Sequence, residues 1–132
     1  MTCPCFSKKN YHECCETYHK GLLPDSALKL MRSRYAAYAK NLSKYIIDTT
    51  HPENPHYNSN VEAWEKSISE FCEAFTFTGL DIIDFQEGRV SATVTFVAHI
   101  VKDGCDHSFK ERSFFEIVGG KWLYLKGEIS NN

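Results

Sequence analysis

The stretch CPCFSKKNYHECC, residues 3 to 15, holds four of the six cysteines of a 132-residue chain. This spacing restricts the local fold more tightly than any other feature. Two thiols separated by one residue, then two adjacent thiols after a loop, form two chelating pairs that a fold-back brings to one point. Zinc takes four such soft ligands in a closed tetrahedron, and an all-thiolate shell accepts iron as well. About fifteen residues have no core of their own, so a metal would supply their folding energy. Two other readings stand beside it. One is a redox-active thiol pair, although no Cys-X-X-Cys is present; the other is a set of disulfides, which need an oxidising compartment. Adjacent cysteines are an unusual ligand pair, so His12 or His19 is an alternative to Cys15. The loop between the pairs would present Lys8, Lys9, Tyr11 and His12 as a rigid partner surface. Cys72 and Cys105 read as packing residues, since free cysteine behaves as a small hydrophobe.

With 42% hydrophobic and 24% charged residues, the remainder has the composition of an ordinary globular domain. No apolar run approaches the ~20 residues of a membrane helix. The N-terminus also lacks the apolar segment of a secretory signal, so a cytoplasmic location is expected. Residues 1–45 carry eight Lys/Arg against three acids, and residues 46–132 carry seven against fourteen. A basic front suits an acidic partner or an RNA phosphate surface, but its density is that of solvated helix faces rather than a nucleic-acid arm. Sequence-specific nucleic-acid binding is not expected.

After a connection containing Gly21 and Pro24, Asp25 or Ser26 can cap a helix whose apolar stripe is Leu28, Met31, Tyr35, Tyr38 and Leu42. A short helix over Leu42 to Thr49 follows, and HPENPHYNSN reads as a loop. Ser59 and Glu62 have capping-box spacing ahead of Val61, Trp64, Ile68, Phe71 and Phe75. Beyond Phe75 the period becomes two. In VSATVTFVAHIVK, Val90, Ala92, Val94, Phe96, Ala98 and Ile100 share one strand face. FTFTGLDIIDFQEG, HSFKERSFFEIV and KWLYLKGEI are three further strands, the last two joined by a glycine-rich hairpin turn at VGGK. Helices followed by an antiparallel meander predict an α+β fold with a curved sheet wrapped around the helices.

CPCFSKKNYHECC resembles the SEC-C motif, the zinc-binding tail of the SecA translocation ATPase. Continuing through YHKG, LMRSRYAAY, THPENP, FKERSFFE and GKWLYLKGE, the chain resembles the YchJ-like family of small bacterial proteins over nearly its whole length. The resemblance implies one zinc ion on Cys3, Cys5, Cys14 and Cys15, within a SEC-C segment over residues 1–22. It also implies a nuclear-transport-factor-like cone over 23–132, with three helices packed in a bent antiparallel sheet of about four strands. Where the motif usually has glycine after the second cysteine, this chain has Phe6, a residue that does not easily take positive φ. Cones of this type often enclose an apolar cavity used for ligands, catalysis or dimerisation, so a homodimer is an open option.

Polar candidates for such a cavity are Arg34, His51, His99, Glu111, Arg112 and Ser113, with Tyr35, Tyr38, Trp64, Trp122 and Tyr124 as walls. A histidine beside a carboxylate suits general-base chemistry. The simpler reading pairs Arg34 with Glu111 to fasten the first helix to the sheet, because a buried arginine usually needs a carboxylate. His51, before Pro52, reads as a turn residue. No glycine-rich phosphate loop, HExxH or nucleophile setting is present. The preferred reading is a zinc-binding accessory protein whose knuckle docks on a protein or ribosomal partner. The alternative is a small cone enzyme or small-molecule binder, with His51 or His99 as base. A thiol redox sensor is the third.

Overall fold

The structure is a computed structural model that describes residues 1–130. A 3₁₀ turn at Tyr11–Glu13 and the short helix α1 (Cys15–His19) follow the first cysteines. Three helices come next, α2 (Ala27–Ala39), α3 (Ser43–Asp48) and α4 (Val61–Ala74). The strands are β1 (Thr76–Glu87), β2 (Ser91–Lys102), β3 (Cys105–Asp106), β4 (Phe109–Val118) and β5 (Lys121–Ser130). All pair antiparallel in the order β1-β2-β4-β5, with the two-residue β3 attached to the end of β2. This is the expected α+β cone preceded by a cysteine knuckle.

Local chemistry explains the boundaries. The Ser26 hydroxyl accepts the Lys29 N–H at 3.1 Å and starts α2. The start of α4 is a correction, because Asn60 rather than Ser59 is its cap. The Asn58 carboxamide holds the Asn60 N–H, and Asn60 in turn accepts from Ala63. That local turn rotates the chain one residue past the expected capping box. Gly119 and Gly120 both have positive φ, as a tight two-residue hairpin between β4 and β5 requires. Register shifts at Thr78 and Ile83 in β1 and at Leu125 in β5 bend the sheet into the cone.

In β2 the alternation is as expected, with Ala92, Val94, Phe96, Ala98 and Ile100 all buried. Val90 is a second correction: it precedes the strand, in the turn after Gly88, and is exposed. The stripe assigned to α2 also proves too narrow. Leu42 lies beyond the helix, and α2 buries residues around most of its circumference. Leu30, Met31 and Tyr35 pack on the sheet with Val94, Phe96, Phe115 and Trp122. Ala37 packs with Ile46, Trp64, Ile68 and Cys72 from α3 and α4, and Ala36 packs with the cysteine knuckle.

Ala37 has no exposed surface. Its replacement by leucine would force extra methylenes between three helices, at a cost of ~1–3 kcal/mol. Urea unfolding of Ala37→Leu should show that loss as a lower midpoint. An unchanged midpoint would contradict the close approach of α3 and α4 to α2.

Candidate metal centre and cavity

The first fifteen residues fold back on themselves. The Cys3 N–H donates to Lys9 C=O, Thr2 and Asn10 form an antiparallel bridge, and the Tyr11 N–H reaches Met1 C=O. This closure brings the Sγ atoms of Cys3, Cys5, Cys14 and Cys15 within 4.8 Å of one another. The Cys5–Cys14 and Cys14–Cys15 sulfurs are 3.7 and 4.0 Å apart. A tetrahedral zinc site with Zn–S bonds of ~2.3 Å has an S···S edge of ~3.8 Å. Two separations match that edge and every pair lies within 4.8 Å, so a contraction of no more than about 1 Å would seat a tetrahedral metal ion, and all four are free cysteines rather than disulfides. Hydrogen bonds from Cys15 hold the Cys5 thiol below the ordinary thiol range, and the same contact together with burial pushes Cys15 up. Burial also raises Cys3. Cys3, Cys5 and Cys15 thus hold their protons unequally, whereas a divalent cation would favour the thiolate form of all its ligands.

Phe6 and Lys8 both adopt positive φ, at 61° and 72°. Phe6 therefore takes the left-handed turn that glycine would take with less strain, at a cost of ~1–2 kcal/mol. Its ring meets Tyr35 edge-on at 6.2 Å, a contact that offsets part of this. Between them the Ser7 hydroxyl lies 3.3 Å from the Cys14 sulfur. The two histidines considered as substitute ligands face elsewhere: His12 pairs with Glu16, and His19 bonds Tyr11 and Ser33. Of the expected partner surface, Lys8, Lys9 and His12 are exposed. Tyr11 is a correction. It is buried under the knuckle, its hydroxyl is 2.7 Å from His19 Nδ1, and the Lys40 ammonium lies over its ring.

A cavity of about 360 Å³ lies between α2, α4 and the sheet. Arg34, Tyr35, Tyr38, Glu111, Ser113 and Tyr124 line it, as do Phe71, Phe77, Phe96 and Phe109. Trp64 sits instead with Ile46, Ile68 and Cys72, and Trp122 belongs to the main core. His99 projects from the outer face of β2 and meets Asp81 at 2.7 Å. His51 is buried outside the cavity. Its Nδ1 accepts the Glu53 N–H, so Nε2 carries the proton toward Glu116 at 3.0 Å and ties the loop to β4.

The expected Arg34–Glu111 ion pair is not formed. Arg34 Nη1 donates to Ile46 C=O and to the hydroxyls of Thr49 and Thr50, and the guanidinium lies 4.5 Å from the Tyr124 ring centroid. The C-terminal end of α3 satisfies the buried cation with neutral acceptors, so no carboxylate is needed. Glu111 accepts instead from the Ser113 and Tyr124 hydroxyls. Arg112 is exposed on the outer face over Phe114. Cys72 is buried as expected, but Cys105 is exposed in β3, at the tip of a hairpin with no layer above it.

A family model described as "YchJ, middle NTF2-like domain" matches residues 26–127. A "UPF0225 protein" of Streptomyces coelicolor is 34% identical over 131 residues, covering 96% of this chain and 94% of the relative. The chain belongs to the YchJ-like family. Among solved structures, a SEC-C motif containing protein from Rhodopseudomonas palustris superposes with a TM-score of 0.84 at 32% identity, covering 99% of this chain and all of that one. A second, from Psychrobacter arcticus, gives 0.80 at 24% identity, over 100% of this chain and 84% of that one. This YchJ-like protein is thus a SEC-C motif protein with a nuclear-transport-factor-like domain and a cysteine cluster able to hold a metal ion.

In this YchJ-like chain the knuckle is fastened to α2 through contacts that residue spacing did not reveal. Arg32 donates to Cys5 C=O at 3.0 Å. His19 Nε2 donates to Ser33 C=O at 2.8 Å, leaving Nδ1 to accept from Tyr11. The Ser33 hydroxyl is 2.7 Å from that of Tyr45. No motif marks these contacts, because they depend on where α2 passes. Burial holds His19 below the ordinary imidazole pKa. The unfolded chain therefore takes up a proton near pH ~6.5 that the folded chain refuses, so this contribution is present above that pH and lost as pH falls. Between pH 7 and 5, wild type should lose stability more steeply in urea titrations than His19→Gln. Equal slopes would remove His19 as the responsible group.

Proposed function

We propose that the protein is a zinc-binding accessory protein of the cytoplasm whose SEC-C knuckle docks on a protein or ribosomal partner. The observation that carries this is the convergence of the four cysteine sulfurs beside an exposed basic loop. Residues 1–22 would be the metal module and residues 23–132 the cone domain that carries it, residues 131 and 132 lying outside the described residues. Cys3, Cys5, Cys14 and Cys15 would hold one zinc ion, and the ion would fix the loop conformation at Phe6 and Lys8. A shell of four protein ligands has no open position, which supports a structural rather than catalytic ion. Thiolate ligands survive in a reducing compartment, which supports the cytoplasm. Lys8, Lys9 and His12 would then be presented on a rigid frame with little ordering cost on binding, and an acidic protein surface or ribosomal RNA phosphate is the matching chemistry. No helix among the described residues is long and apolar enough to cross a membrane.

Metal analysis of protein purified without added metal should give about one zinc per chain, lost in Cys14→Ser, as expected of a four-ligand site. Affinity capture and ribosome co-sedimentation from a bacterial lysate should recover a partner with wild type. Lys8→Glu/Lys9→Glu should lose that partner while retaining the zinc. Identical recovery by wild type and both variants would remove the docking role, and iron in place of zinc would correct the metal.

A further inference from the structure

The cone cavity contains a carboxylate that the packing of the fold does not require. Glu111 projects into a space walled by Phe71, Phe77, Phe96 and Phe109, and faces no cation within ion-pair distance among the described residues. Arg34, the nearby cation that lines the same cavity, is already held by Ile46, Thr49 and Thr50. The Ser113 and Tyr124 hydroxyls both donate to one oxygen of Glu111, Oε2, while Oε1 has no hydrogen-bond partner among the described residues.

The seat of this carboxylate is built into the sheet. Gly127 lies opposite Ser113 in the β4–β5 register, and a Cβ at that position would collide with the Glu111 carboxylate and the Tyr124 hydroxyl. The backbone of β5 is therefore left bare where Glu111 rests. Burial keeps the Tyr124 hydroxyl protonated and able to donate. Two hydroxyls and one glycine thus fix the orientation of an anionic acceptor that still has an unused oxygen, in a cavity whose other walls are largely aromatic. Glu111 is only half-buried and no fully buried side-chain oxygen among the described residues lacks a partner, so Oε1 is open to solvent and free to meet a donor on an entering molecule.

From this arrangement we propose that the cavity binds a small aromatic molecule bearing an amino or hydroxyl group, with Glu111 Oε1 accepting from that group and the phenylalanine rings holding the body. The cavity, about 360 Å³, falls at the lower end of the ~300–1,000 Å³ range of small-ligand sites. An aromatic carboxylate of the same shape is disfavoured, because its charge would face Glu111. None of the four cysteines and no residue of the basic loop lines this cavity.

The test uses the full-length protein and three probes of matched shape, 2-naphthylmethylamine, 2-naphthol and 2-naphthoate, with binding followed by calorimetry. The amine and the naphthol should bind, and the naphthoate about tenfold or more weakly. Glu111→Gln should weaken the amine by about tenfold, the effect of one charge-assisted hydrogen bond. Ser67 is exposed on α4 and lines the cavity, so Ser67→Trp should block all three probes without disturbing the core. The proposal is overturned if none of the probes binds, if the naphthoate binds as well as the amine, or if binding survives Ser67→Trp.

Discussion

Ala36 and Ala37 are completely buried where α2 is approached by the cysteine knuckle on one side and by α3 and α4 on another. A third side, through Leu30, Met31 and Tyr35, faces the sheet. The small side chains allow close approach of the neighbouring backbones, and the larger ones fill the cone. Because one helix serves three layers, the position of the metal centre and the shape of the cavity are coupled to the same element. Phe6 illustrates this. Its strained turn belongs to the knuckle, and its ring rests on Tyr35, which also lines the cavity.

The interior charges follow from the same packing. Arg34 points from α2 to the last turn of α3, where the Ile46 carbonyl and the Thr49 and Thr50 hydroxyls converge. A delocalised guanidinium with several donors can be satisfied by neutral acceptors and an aromatic face, so its burial does not consume a carboxylate. Glu111 is thereby left to hydroxyl donors on the sheet. Had the two paired, the cavity would contain a closed ion pair with little capacity for recognition. The hydrogen bonds that anchor α3 are therefore what leave the cone with an unspent polar group.

Much of this was readable in the chain. Period-two alternation identified the buried face of β2, since a half-buried strand must alternate whatever it packs against. The cysteine spacing identified the knuckle, because few other uses exist for two short-spaced thiol pairs around one loop. Errors arose where a competing local contact or a distant element decided the outcome. Asn58 moved the cap of α4 by one residue, and Tyr11, placed among exposed loop residues, turned inward to His19. Cys105 was assigned to packing by residue type alone, but a two-residue strand at a hairpin tip has nothing above it to pack against. His51, His99, Trp64 and Trp122 were grouped as cavity candidates by chemistry, but strand phase turns His99 outward and His51 lies in the loop after α3. Trp64 and Trp122 share faces with the cavity residues Ile68 and Tyr124 yet sit too far along their elements to reach it.

The sequence by itself determined the α+β class, the order of helices and strands, and the cysteine set, because these rest on periodicity and on short-range spacing. Only the tertiary structure decided which partner each buried polar group has, that Gly127 makes room for Glu111, and that the knuckle rests on Ala36 through Arg32 and His19. Those outcomes depend on contacts between residues far apart in the chain, whose distances are set by how three layers close on α2 and which leave no periodic trace in the sequence.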